Sequence, residues 1–195
     1  MDRKTLIGFF FAIVVGMLCV DRGSKMWAAD TLVAGTNEIY LGPINLTMVH
    51  NQGAAFGMGQ GQGWLFAIIA VVIVLAIIGW LFFSKDLNTL EVVAFGLIAA
   101  GGIGNLIDRV NMGYVVDFIQ FTFIDFPVFN VADMCVTVGV ALVIVSAFMK
   151  IKADKDEIYS ELEAKEAAKK ADEEREAAER ARIEAEDDRW WEEDD

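Results

Sequence analysis

The chain has 195 residues, of which 55% are hydrophobic, and its formal net charge is −13. Residues 1–152 carry 8 Lys/Arg against 10 Asp/Glu, whereas residues 153–195 carry 8 against 19, so the acidity belongs to the last segment. This charge balance argues against nucleic-acid binding, which requires basic patches.

Four apolar segments predict an all-α membrane protein with four transmembrane helices. They are Leu6–Val20, which we expect to continue as helix through Trp27, then Trp64–Phe83, Val92–Ile107 and Val131–Ile151. A span needs about 20 mostly apolar residues. The second segment meets that length outright. The others meet it if their terminal polar residues lie near headgroups or inside the protein.

A cleaved signal peptide is the alternative for the first segment, because Arg3 and Lys4 precede an apolar run of suitable length. Cys19 also allows a lipoprotein interpretation. Cleavage requires small residues before the cut, whereas the bulky Leu18 directly precedes Cys19. We therefore predict a retained span. Cys19 and Cys135 both lie in apolar runs without CxxC spacing, so we expect them to be buried and unpaired.

The segment between the first two spans predicts a small extracytoplasmic β-sheet or flap region. Asn45–Val49 is strand-like, because it has β-branched residues and partial alternation. Gly57–Gly63 is rich in glycine, which predicts the mobility that a flap needs. Phe118–Val128, rich in Phe and Ile, is a candidate for a further strand.

The third span contains Gly96, Ala100 and Gly104 at intervals of four, a spacing that lets a neighbouring helix approach closely. After the fourth span, residues 153–195 are rich in Ala, Glu, Lys and Arg. They predict a solvated cytoplasmic tail that is helical or disordered. We therefore divide the chain into a membrane domain, 1–152, and an acidic tail, 153–195, that is dispensable for the activity of the domain.

The basic residues predict the orientation in the membrane. An even number of spans puts both termini on one side, together with Arg3, Lys4, Lys85, Lys150 and Lys152, against Arg22, Lys25 and Arg109 on the other side. The positive-inside rule then favours cytoplasmic termini.

With this orientation, a set of polar side chains lies at the outer boundary of the membrane. They are Asp21, Lys25, Asn51, Asn105, Asp108, Arg109, Asp117, Asn130 and Asp133. Acidic residues this close to lipid are costly and are usually functional. The cytoplasmic ends of the spans have no comparable cluster, so we predict a site at the outer boundary.

Several of these residues also have simple structural interpretations. Asp21 and Lys25 have the i,i+4 spacing of an ion pair that settles a helix end. Asn51, two residues before Gly53, is suited to shaping a turn. Arg109 is placed to snorkel to the interface.

Asp108, Asn130 and Asp133 also have structural interpretations, whereas Asp117 does not. Asp108 is expected to pair locally or to face water. Asn130 is well placed to cap the fourth span, and Asp133 is a second candidate for that cap. Asp117, between two apolar neighbours, has no comparable structural explanation.

Asp117 and Asp133 lie sixteen positions apart and predict an acid–base pair. Two neighbouring carboxylates cannot both ionise cheaply, so one keeps a proton while the other acts as general base on a shared water. A cysteine nucleophile has less support, because the single histidine, His50, lies in a different segment from either Cys19 or Cys135. The chain has no HExxH or Cys/His ligand spacing, so we expect no metal and no cofactor.

At these residues the chain resembles the type II, or lipoprotein, signal peptidase family of bacterial inner membranes. Five blocks carry the resemblance in the same order and spacing: Asp21–Lys25, Asn51–Phe56, Gly101–Arg109, Val115–Phe118 and Phe129–Asp133. The resemblance covers residues 1 to 152, and five blocks in register are highly specific. The acidic tail departs from the short basic or polar ending of the family.

The resemblance implies an aspartic endopeptidase that removes signal peptides from diacylglyceryl-modified prolipoproteins, cutting before the lipidated cysteine. It implies that Asp117 and Asp133 are the catalytic dyad. It also implies a supporting or substrate-binding role for Asp21, Lys25, Asn51, Gly53, Asn105, Arg109 and Asn130. Further implications are a small periplasmic sheet, a periplasmic active site, contact with membrane lipid, inhibition by globomycin-type compounds and a monomeric enzyme.

Two other classes of function remain as alternatives. A small-solute or ion transporter also uses intramembrane carboxylates, but here the polar residues gather at one boundary and no inverted repeat is visible. A non-enzymatic membrane scaffold would use the tail as a docking arm. Replacing each of Asp117 and Asp133 by Asn separates these alternatives from the protease.

Overall fold

The computed structural model describes residues 1–35, 38–53, 59 and 61–192, with side chains through residue 183. In chain order the elements are α1 (Arg3–Thr31), β1 (Ile39–Tyr40), β2 (Ile44–Asn51), α2 (Gly63–Phe83), α3 (Thr89–Met112), β3 (Val115–Phe121) and α4 (Val131–Glu192). Residues 57, 58 and 60 of the predicted flap segment, Gly57–Gly63, lie outside the described residues. The chain divides into two compact units, Met1–Ser146 and Ala147–Asp195.

Four helices among the described residues are long and apolar enough to cross a membrane: Arg3–Thr31, Gly63–Phe83, Thr89–Met112 and Val131–Ile183. Each contains one of the four predicted apolar segments, which confirms the predicted fold class. Helices suit the hydrocarbon region because they satisfy their backbone polar groups within one segment.

The two cysteines differ in exposure. Cys135 is buried as predicted, but the prediction is wrong for Cys19, which is exposed on α1. Lipid tails are as apolar as a protein core, so an apolar run in a spanning helix does not reveal which face is packed.

Close packing against α3 depends on its glycines, as predicted. A Cβ atom on Gly96 would lie 3.1 Å from the side chain of Ile13 on α1. A Cβ atom on Gly101 would overlap the carbonyl oxygen of Ala132, at the start of α4. The small residues therefore let α1 and α4 pack closely against α3.

The end of α3 directs the chain into the sheet. Gly113 caps the helix with φ of 80°, a left-handed conformation that glycine adopts without steric cost, and its N–H donates to the carbonyl of Arg109. The chain then enters β3 two residues later.

The three strands form an antiparallel sheet in the order β1-β2-β3. The strand predicted in Phe118–Val128 is wrong in its bounds, because β3 covers Val115–Phe121. Pro127 has no N–H to donate to a ladder, so the strand cannot continue through it. The chain instead turns back, and Phe129 N donates to Ile119 O at 2.9 Å. Strand β1 was not predicted.

Two clusters of buried hydrophobic residues stabilise the first unit, Met1–Ser146. The first cluster joins α1, α2 and α3 through Leu6, Phe10, Val14, Ile77, Leu81, Val92 and Ala99. The second joins the end of α1 to β3 through Ala28, Leu32, Val116 and Phe118. Since side chains alternate along a strand, Val116 and Phe118 point into this cluster while Asp117 points to the other face.

Candidate active site

The sheet register brings two polar residues of different strands together. Asp117 on β3 pairs with Val49, and Asn51 on β2 pairs with Val115, so Asp117 and Asn51 are diagonal neighbours on one face. Asn51 Nδ2 donates to Asp117 Oδ2 at 2.9 Å. The carboxylate of Asp117 is 2% exposed, so its second oxygen also needs a donor from the protein.

Asn130 supplies that donor from the start of α4. Its Nδ2 donates to Asp117 Oδ1 at 2.6 Å. Its Oδ1 accepts from Asp133 N at 3.0 Å, and its own N–H donates to Asp133 Oδ2 at 3.1 Å, which together form a capping box. The predicted capping role of Asn130 is confirmed, and the cap places Asp133 beside the partner of Asp117.

Asn105 on α3 completes the bridge between the helices. Its Nδ2 donates to Asp133 Oδ1 at 2.8 Å. Its Oδ1 accepts from Lys25 Nζ at 2.8 Å and from Asn130 Nδ2 at 3.1 Å. One amide therefore connects α1, α3 and α4 at the position of the second carboxylate.

Burial controls the ionisation of Asp117. Loss of solvent raises its pKa from 3.8 to about 7, and the charge of Asp133 acts in the same direction. The hydrogen bonds from Asn51 and Asn130 act against this rise, because they stabilise the ionised form. Asp117 therefore exchanges a proton near neutral pH, as an acid–base group must.

A cluster of charges, formed by the buried Asp21, Lys25 and Asp108 and the partly exposed Arg22, lies next to Asn105. Lys25 Nζ is 3.1 Å from Asp21 Oδ2 and 2.9 Å from Asp108 Oδ2. The predicted i,i+4 pair of Asp21 and Lys25 is thus confirmed, but both residues are 1% exposed. Asp21 Oδ1 also accepts from Ala132 N at 3.1 Å, which fixes the first turn of α4.

The prediction that Asp108 pairs locally or faces water is wrong. Asp108 is fully buried, and its cationic partners, Arg22 at 2.6 Å and Lys25, come from α1. The close approach of α1 and α3 covers the carboxylate, and two cations offset the cost of burying it. Asp108 was predicted to lie in the polar cluster at the outer boundary, but neither Asp108 nor Arg22 was assigned a role at the site. The spacing of Asn105 and Asp108, which puts them on one helix face, indicated the place of Asp108 in that cluster.

The prediction that Arg109 snorkels is wrong, and the predicted turn-shaping role of Asn51 is only part of what this residue does. Arg109 does not snorkel, because its Nη2 donates to Gly53 O at 2.9 Å and its guanidinium lies over the Phe66 ring. Asn51 Oδ1 accepts from Gly53 N at 2.9 Å, so Asn51 shapes the predicted turn and also binds Asp117. All nine predicted site residues consequently belong to one connected network: Asp21, Lys25, Asn51, Gly53, Asn105, Arg109, Asp117, Asn130 and Asp133.

Comparison with known proteins identifies the family. Residues 13–149 match the sequence profile of signal peptidase (SPase) II. The chain belongs to the signal peptidase II family. The lipoprotein signal peptidases of Streptococcus pyogenes serotype M5 (strain Manfredo) and serotype M18 (strain MGAS8232) are each 38% identical to it over 137 residues, which is 70% of this chain and 90% of theirs.

Solved structures agree with this assignment. One bacterial membrane enzyme, determined by the in meso method at 2.3 Å resolution, has a TM-score of 0.70 and 36% identity over 74% of this chain and 90% of its own. Another, at 1.9 Å resolution, has a TM-score of 0.66 and 36% identity over 72% and 93%. The resemblance seen in the five blocks is confirmed, and the chain is a membrane peptidase of the lipoprotein signal peptidase type.

The peptidase has an apolar groove whose lining includes Asp133. The groove has a volume of about 350 Å³ and is lined by Ile44, Ile119, Phe121, Phe129, Met134, Thr137 and Val138, with Asp133 as its charged member. Asp117, Ile119 and Phe121 alternate along β3 and so share one face of the strand. An apolar ligand in this groove would therefore lie beside Asp133, on the strand face that Asp117 shares.

Proposed function

We propose that this peptidase is an aspartic endopeptidase whose catalytic pair is Asp117 and Asp133. The observation that carries the proposal is the contact of Asn130 with both carboxylates, through its amide at 2.6 Å and its backbone N–H at 3.1 Å. The charge of Asp133 acts on Asp117, so the two carboxylates are neighbours, and we propose that they share a water. The raised pKa of Asp117 favours one proton on the pair.

The proposed reaction assigns a different task to each carboxyl group. Asp133 in its ionised form takes a proton from the shared water, whose oxygen attacks the scissile carbonyl carbon. Asp117, which holds a proton near neutral pH, donates a hydrogen bond to the carbonyl oxygen as negative charge develops there. The tetrahedral intermediate then breaks its C–N bond, and the amine leaves with a proton from the pair.

The proposed substrate is a diacylglyceryl-modified prolipoprotein, cut before the lipidated cysteine. Support comes from the relatives, which are named lipoprotein signal peptidases, and from the apolar groove that Asp133 lines. A groove of this apolar character suits signal-peptide side chains or an acyl chain, and it excludes charged peptides by their desolvation cost. No nucleic acid is expected as a partner, and we propose that the enzyme acts as a monomer.

The proposed location is the bacterial inner membrane, with both termini in the cytoplasm and the carboxylates near the periplasmic face. The positive-inside rule supports this orientation, because five basic residues flank the cytoplasmic ends of the spans against three on the other side. The acidic tail is proposed to be dispensable for cleavage. Every side chain of the network described above lies at or before residue 133.

The test is cleavage of a lipidated precursor by the purified full-length protein. Asp117→Asn and Asp133→Asn should each lower kcat at least about 1,000-fold, because loss of one member disables a catalytic unit. Asp125→Asn is the matched control, since Asp125 is exposed on the segment after β3. Substantial cleavage by either dyad variant would contradict the mechanism. Unchanged cellular function in both would favour the scaffold.

A further inference from the structure

We propose that Asp108 is a positioning residue that sets the placement of both Asp117 and Asp133. The inference rests on the proposed aspartic mechanism and extends it to a carboxylate that touches neither water nor the groove. Asp108 is 0% exposed and lies on α3, one turn after Asn105. Two separate chains of hydrogen bonds lead from it to the two catalytic groups.

The first chain leads to Asp133. Asp108 Oδ2 is 2.9 Å from Lys25 Nζ, which in turn donates to Asn105 Oδ1 at 2.8 Å. An ammonium group can only donate, so it requires the oxygen of the Asn105 amide to face it. The nitrogen of that amide is thereby turned to Asp133, where it donates to Oδ1 at 2.8 Å.

The second chain leads to Asp117. Asp108 Oδ2 accepts from Val116 N at 3.4 Å, and Val116 O accepts from Asn130 Nδ2 at 3.3 Å. Val116 directly precedes Asp117, and the same Asn130 Nδ2 donates to Asp117 Oδ1 at 2.6 Å. Asp108 therefore braces β3 from the side of α3, at the residue before the catalytic carboxyl group.

The local charges explain why a carboxylate is required at this position. The cluster of Asp21, Arg22, Lys25 and Asp108 contains two cations and two anions, so it is formally neutral. Apolar residues of similar volume would stabilise such a buried site at least as well. They would not, however, hold Lys25 at the distance that orients Asn105. This distinguishes a positioning role from a purely structural ion pair.

The first experiment measures steady-state cleavage of a lipidated precursor by full-length Asp108→Asn. Asparagine keeps the size of the side chain and an acceptor for Val116 N–H, but it loses the charge that holds Lys25. We expect kcat to fall roughly 10- to 100-fold, by analogy with the loss of an outer partner that orients a metal ligand. KM should stay within about twofold, because Asp108 does not line the groove. The exposed Asp30→Asn on α1 is the control.

Two further variants separate positioning from folding. Asp108→Asn combined with Arg22→Gln keeps the buried cluster neutral, and Arg22 is the half-exposed partner, with 29% of its side chain accessible. This double variant should fold, judged by thermal unfolding in detergent, and should show the same loss of kcat. If neither variant folds, Asp108 serves folding alone and the inference is overturned.

A double-mutant cycle supplies the decisive readout. If Asp108 acts through Asn105, adding Asp108→Asn to Asn105→Ala should lower kcat by less than about threefold further, because the shared path is already broken. Full additivity, or a folded Asp108→Asn enzyme with wild-type kcat, would overturn the inference. In that case an inactive Asp117→Asn enzyme would leave the proposed mechanism standing. An active Asp117→Asn enzyme would contradict the proposed aspartic mechanism itself.

Discussion

Asp117 and Asp133 both hydrogen bond to Asn130, the first through the amide side chain and the second through the backbone N–H. The two carboxylates belong to different elements, β3 and α4, and lie sixteen positions apart in the sequence. Asn130 thus combines the N-cap of a helix with the bridge of an acid–base pair. The geometry of the pair consequently depends on where α4 begins.

Replacement of Asn130 separates these two roles. Asn130→Ala removes the cap and the amide donor, and the cap alone is worth about 1 kcal/mol. Asn130→Ser keeps a good capping oxygen but lacks the amide that donates to Asp117. We expect the serine variant to recover most of the lost thermal stability and to remain at least about 100-fold less active than the wild type. Recovery of cleavage by serine would mean that Asn130 is only a cap.

The pKa of Asp117 predicts an alkaline limit to the activity. Its carboxyl group must be protonated in the proposed reaction, and its pKa is about 7, so kcat/KM should fall as the pH rises through that value. Asn51→Ala removes a hydrogen bond that stabilises the ionised form. The alkaline limb should therefore move to higher pH in this variant, whatever its maximal rate. A limb that moves to lower pH would contradict the assignment of the proton to Asp117.

The raised pKa of Asp117 also predicts how the free energy of unfolding changes with pH. The folded state binds the proton of Asp117 more tightly than the unfolded state, whose pKa is near 3.8. The stabilisation of the folded state by this proton is fully present below pH 3.8 and is lost as the pH rises through about 7. Asp117→Asn cannot ionise, so its melting temperature relative to the wild type should rise between pH 5 and pH 8. Parallel melting curves across that range would show that Asp117 is not perturbed.

The sequence made the position of Asp117 predictable for a physical reason. A carboxylate between Val116 and Phe118 has no low-cost structural role, so it marked a site without any knowledge of the fold. Asn130 and Asp133 were recognisable from the local chemistry of a helix start. The third span was recognisable as a packing surface because small residues recur along it.

Asp108 and β1 could not be predicted in the same way. Whether a carboxylate at a helix end meets water or two cations depends on how closely the neighbouring helix approaches. That distance is set at Gly104, where an added Cβ would meet the carboxylate of Asp21. The two-residue strand β1 exists only because Ile39 and Tyr40 pair with β2. Both features arise from tertiary contacts that no local pattern records.

A bulky residue in the groove should impair substrate binding more than chemistry. Val138 lines the groove, whereas Val140, two residues further along α4, is comparably exposed at 44% against 48% and lies outside it. We expect Val138→Trp to raise KM for a lipidated precursor about tenfold and to change kcat less than about threefold. Val140→Trp should leave both values unchanged. Equal effects of the two substitutions would mean that the groove does not hold the substrate.

Adjacent glycines on α3 give a matched test of how helix packing places Asp133. A Cβ on Gly101 would overlap Ala132 O, whereas a Cβ on Gly102 would meet Val74 at 3.7 Å, an ordinary contact. Gly101→Ala should therefore cost about 1–3 kcal/mol and displace the residue before Asp133, with a loss of kcat. Gly102→Ala should be neutral or slightly stabilising, since alanine favours helix. If both variants melt and cleave alike, the start of α4 is not set by contact with Gly101.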